Sequence, residues 1–165
     1  MSLFITLFLG VIIACISLIT QVFVSLVSEL FLRIDLTFQY SELESTKYIV
    51  TTMFIASVIE ESLRYITIRE KVSFYTNNIF LKSVIYGIVF GTGFGLFEIG
   101  LVFLNTYTIS FSTVVNFIPV FIIHICLSIL LLFTTKRNLY RDIFFILLSI
   151  FIHVLCNLAI FQIQN

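Results

Sequence analysis

Six side chains are out of keeping with their surroundings. Glu60, Glu61, Arg64, Glu98, His124 and His153 lie within long apolar runs, and the two histidines are the only ones in the chain. A charge at the centre of a bilayer costs about 2.5–3.5 kcal/mol on insertion scales, so such groups face a protein interior and mark function. Carboxylates and imidazoles in such a place are suited to exchanging protons, and an arginine beside them sets which carboxylate stays ionised. No HExxH pattern and no Ser-His-Asp arrangement is present.

Spacing sharpens the set. Arg64 stands four residues after Glu60 and three after Glu61, so on a helix its guanidinium reaches either carboxylate. One glutamate is then held ionised while the other is left for chemistry. Asn157 follows His153 by four residues and shares its face. Each feature also has a structural reading. Glu60 with Arg64 makes a buried ion pair, His124 a satisfied core histidine, and His153 with Asn157 an interhelical hydrogen-bonding pair. A further alternative is a divalent metal ligated by Glu61, Glu98, His124 and His153, which would activate the water itself.

The elements that must position these groups are helices in lipid. The 165 residues are 60% hydrophobic and 11% charged, with a mean hydropathy of +1.16. A soluble domain carries about 25% charged residues, so this surface fits a bilayer. Five windows are long enough to span, at 3–27, 48–68, 83–104, 114–133 and 143–161. The fold expected is all-α, a polytopic transmembrane helical bundle forming a single membrane domain over 1–165. The uncharged run from Ser2 to Ser28 lacks the basic start of a signal peptide and reads as a retained helix.

Charge sits mainly in the connections, Glu29 to Lys47, Arg69 to Lys82 and Lys136 to Asp142. Arg69, Lys71, Lys82, Lys136, Arg137 and Arg141 fall on one side, against Arg33 and Lys47 on the other. That excess places the N-terminus in the cytoplasm. The zero net charge argues against a nucleic-acid partner. Cys15, Cys126 and Cys156 match no metal or disulfide spacing and read as packing residues. Gly87, Gly91 and Gly95 form a small-residue stripe that would bring the Glu98 helix against a neighbour, such as the Glu60 helix.

Taken in order, these segments resemble the PrsW-type membrane proteases, relatives of the CAAX-processing and bacteriocin-immunity (Abi) proteases. Glu60-Glu61-Ser62-Leu63-Arg64 is similar to the EExxK/R motif, with Arg64 where many members have Lys. Phe94-Gly95-Leu96-Phe97-Glu98 is similar to FxxxE, Pro119 to His124 to the histidine-bearing helix, and His153-Val154-Leu155-Cys156-Asn157 to the closing HxxxN. The likeness covers about 48–161, four successive helices that would form a catalytic core, with 3–27 as a first helix outside it.

The resemblance implies a bacterial intramembrane endopeptidase, glutamate-based and needing no metal cofactor, acting on a membrane-associated polypeptide. Glu60 or Glu61 would be the general base and Glu98 would share or orient the water. His153 with Asn157 would stabilise the oxyanion, with His124 a further polar contact and Arg64 and Phe94 in support. The implied setting is the cytoplasmic membrane, crossed several times. Two rivals stand beside it. Membrane carboxylates and histidines also build proton relays in transporters, and an inactive member of such a family could serve as an immunity or binding protein.

Overall fold

The computed structural model describes residues 1–32, 42–76, 80–105, 111–133 and 138–164. Among these there is no strand. Helix α1 spans Leu3–Leu32 and α2 Glu42–Thr67, which runs on through a π-helical turn, Ile68–Val72, into a single turn, α3, Ser73–Thr76. Three long helices follow: α4 (Phe80–Asn105), α5 (Phe111–Leu132) and α6 (Leu139–Gln164). All five expected helices are present, and most outrun their apolar windows. Glu29 and Lys47, read above as connection residues, fall within α1 and α2. A helix does not stop where lipid-compatible residues stop, because Glu, Leu and Lys continue its backbone readily.

Three of these helices are long and apolar enough to cross a membrane, over Leu3–Val27, Phe80–Leu101 and Leu139–Ile160. Helix α2 carries Glu60, Glu61 and Arg64 in its apolar stretch, and the apolar part of α5 covers only Ile118–Leu132 among the described residues. Burial is inverted relative to a water-soluble bundle. Ser17, Ser57, Glu61, Arg64, His124, Ser128, Ser149 and His153 are buried, while Phe4, Phe8, Ile19 and Phe23 of α1 and Phe144, Leu147, Phe151 and Leu155 of α6 face outward. An apolar exterior around an interior that holds these polar groups beside an apolar cluster of Ile68, Val72, Phe90, Phe94 and Leu131 is an arrangement that lipid favours. The three cysteines are unpaired, and Cys126 lies on the exterior rather than in the packing expected of it.

The long helices close a ring. Helix α1 packs on α4, α4 on α5, α5 on α6, α6 on α2, and α2 back on α1. Its tightest seams are made by glycine. A Cβ on Gly10 would collide with the Phe90 carbonyl of α4, and one on Gly93 with the Leu7 carbonyl of α1. Across the other seam, a Cβ on Gly91 would stand 2.6 Å from Ile125 Cα. The 87-91-95 stripe therefore does allow close approach, but its neighbour is α5 and not the Glu60 helix.

Backbone cannot yield as a side chain can, so Gly93→Val should cost about 1–3 kcal/mol in overpacking. Thermal unfolding in detergent micelles reads this directly. Gly100→Val is the control, because a Cβ there meets open space. Equal melting temperatures for the two variants would contradict the seam.

Candidate active site

Adjacent residues on a helix point about 100° apart, and this separates the two glutamates of α2. Glu61 turns toward α6 and is fully buried. It accepts hydrogen bonds from the Arg64 guanidinium and the Ser149 hydroxyl, and from His153 Nδ1 at 2.8 Å. Glu60 turns toward α1, where Gln21 Nε2 donates to its Oε1 at 2.7 Å. Its other oxygen, Oε2, is buried without a hydrogen-bond partner, 3.5 Å from His153 Nε2. One carboxylate is saturated, and the other keeps an unused lone-pair face.

Arg64 is the hub. Its guanidinium serves Glu61 and also donates to His124 Nδ1 at 2.6 Å, while its Cζ sits 4.2 Å from the Phe94 ring centroid. Guanidinium has donors only, so His124 Nδ1 must accept. The ring proton is therefore on Nε2, which donates to Glu98 Oε2 at 2.5 Å. The Phe94 ring lies 4.8 Å from that of His124, and His153 meets His124 edge-on at 5.4 Å between centroids.

The residues singled out by sequence thus come together from α2, α4, α5 and α6. Glu98 is joined to the others through His124 rather than by touching Glu60 directly. Asn157 lies a turn beyond His153 and donates weakly to Ser57 Oγ at 3.4 Å, so its contact is beside the carboxylates. Three participants escaped the sequence reading. Ser149 precedes His153 by four residues and Ser57 precedes Glu61 by four, so same-face spacing could have found both. Gln21 is the only carboxamide in the uncharged run 2–28, which was its one signal.

A second polar group closes the ring beyond the site. Tyr65 Oη donates to Asp142 at 2.9 Å and accepts from Arg69 at 2.6 Å, with Arg69 3.5 Å from the same carboxylate. Asp142, read above as a loop residue, is buried here and ties the start of α6 to the end of α2.

Glu60, His124 and His153 each offer a ligand atom within 4.8 Å of the others. A metal needs a bare imidazole nitrogen. On His124 one nitrogen accepts from Arg64 and the other gives its proton to Glu98. Glu61, the alternative ligand, has its oxygens committed to Arg64, Ser149 and His153. With His124 and Glu61 so committed, and His153 Nδ1 given to Glu61, the donor set fits a hydrogen-bonded site better than a cation.

Comparison with known protein families, with curated proteins and with solved structures finds no match to this chain.

Proposed function

We propose that this chain is an intramembrane endopeptidase of the PrsW type, with Glu60 as the base that activates water. The observation that supports it is the unequal state of the paired carboxylates. Glu61 is spent on Arg64, Ser149 and His153, whereas Glu60 is held by one oxygen and offers the other toward His153. A general base needs such a free, oriented oxygen.

In the reaction, Glu60 Oε2 removes a proton from water as the water oxygen bonds to the scissile carbonyl carbon. The carbonyl electrons move onto oxygen, where the Asn157 amide and His153 Nε2–H meet the charge; because His153 Nδ1 already donates to Glu61, this step uses the ring as imidazolium. Glu60 then passes its proton to the amide nitrogen as the C–N bond breaks, leaving a carboxyl terminus and an amine. Glu61 fixes His153 through Nδ1, and Arg64 fixes both Glu61 and His124. Glu98 fixes His124 from the other side.

In this reading all five long helices cross the cytoplasmic membrane and the substrate is a membrane-associated polypeptide. The N-terminus is placed in the cytoplasm by Arg69, Lys71, Lys82 and Arg141. Arg33, Lys136 and Arg137, which also enter that count, lie outside the described residues.

A proton relay is the second reading, because polar contacts run unbroken from Glu60 through His153, Glu61, Arg64 and His124 to Glu98. Its weak link is Arg64. A guanidinium has donors and no acceptor, so it cannot take up the proton a relay must hand on, and the chain breaks at its centre. Liposomes carrying the protein and a library of single-span polypeptides distinguish the two. New termini found by mass spectrometry support hydrolysis; proton flux without cleavage supports the relay. Prolonged dialysis against a chelator should leave the cleavage rate unchanged, and loss restored by zinc would reinstate the metal.

A further inference from the structure

The four-helix core leaves α1 as an accessory, yet among the described residues its Gln21 makes the only side-chain hydrogen bond to Glu60. We propose that Gln21 is a positioning residue of the active site, choosing which oxygen of Glu60 acts as the base. This rests on the hydrolytic reading above and adds a fifth helix to the machinery.

The contact is built from both ends. Gln21 Nε2 donates to Ser17 Oγ at 3.1 Å as well as to Glu60 Oε1 at 2.7 Å. An ionised carboxylate only accepts, so the amide must present its nitrogen to Glu60, and the Ser17 hydroxyl gives that nitrogen a second acceptor. Ser17 itself is 1% exposed. Helix α1 is keyed against α4 at Gly10 and Gly93, so Gln21 projects from a rigid support. With Oε1 engaged, Oε2 alone faces His153 Nε2. Without the amide, Glu60 is free to rotate about its side-chain bonds and either oxygen can turn from the reacting centre. A side chain that reaches a transition state in only part of its rotamers lowers turnover, not substrate affinity.

The test uses Gln21→Leu, which keeps bulk but has no donor, and Gln21→Asn, which keeps the amide on a shorter arm. Both are reconstituted in liposomes with the single-span polypeptide library. In Gln21→Leu, kcat should fall about 10- to 100-fold, the worth of a hydrogen bond to a charged group. KM should stay at the wild-type value, the melting temperature should fall only modestly as Glu60 Oε1 loses its donor, and Gln21→Asn should recover part of the rate. Infrared spectroscopy gives a readout independent of turnover. The Glu60 carboxyl band, identified as the band missing in Glu60→Gln, should move in Gln21→Leu.

Wild-type kcat in Gln21→Leu, or an unmoved Glu60 band, overturns the assignment. So does a rate loss accompanied by an equal loss of folded protein. If the band moves but the wild-type protein cleaves nothing, the contact stands. The hydrolytic reading then fails, taking Gln21's role in the reaction with it.

Discussion

Glu60→Gln should lower peptide hydrolysis by about 10²–10⁴-fold, the usual contribution of a general base, with little change in folding. The amide keeps the size of the carboxylate, and its carbonyl oxygen still accepts from Gln21, the one side-chain hydrogen bond to Glu60 among the described residues. What disappears is the oxygen able to take a proton beside His153. Glu61→Gln is the informative partner. It removes the ion pair with Arg64 and an acceptor shared with Ser149 and His153, so its first effect is on stability. Rates measured beside melting temperatures separate the two. A folded, inactive Glu61→Gln with an active Glu60→Gln would exchange their roles.

Arg64→Met should be the most destabilising single substitution, costing about 3–5 kcal/mol, because it strands a buried carboxylate without its cation. The guanidinium is fully buried and serves Glu61 and His124 at once, stacked on Phe94. Arg64→Lys restores charge but not the fork, since one ammonium does not span both partners in the same geometry. The expected stability order is wild type, Arg64→Lys, Arg64→Met. Pairing Arg64→Met with Glu61→Leu should recover part of the loss, because the stranded charge is then gone. Chemical unfolding in micelles checks the series, and an Arg64→Met protein as stable as wild type would remove Arg64 from the centre of the site.

Helices and site differ in how far they could be read from sequence. Apolar runs reveal helices because length and hydropathy are local properties, and all five appeared. The convergence of Glu60, Glu98, His124 and His153 was legible because each is costly in an apolar run and had to face its peers. Spacing alone did not say which glutamate Arg64 would take, since both lie within a turn of it. That choice depends on the rotation of α2 between α1 and α6, which is a tertiary property. The neighbour of the Gly87-Gly91-Gly95 stripe was misjudged for the same reason. A stripe records that something approaches closely, not which helix does. Gln21 stayed hidden because an uncharged amide in an apolar run carries little cost, and only the fold shows it reaching Glu60. Asp142 looked like a loop charge until α6 was seen to begin before it.

If Glu60 directs water onto a peptide bond, the oxygen of that water ends in the new carboxyl terminus. The most direct measurement is cleavage of the single-span polypeptide library in water enriched in oxygen-18, with products weighed by mass spectrometry. Wild-type protein should yield new carboxyl termini carrying the heavy oxygen, and Glu60→Gln should yield almost none. No cleavage by the wild type, or labelled products from Glu60→Gln at the wild-type rate, would contradict it.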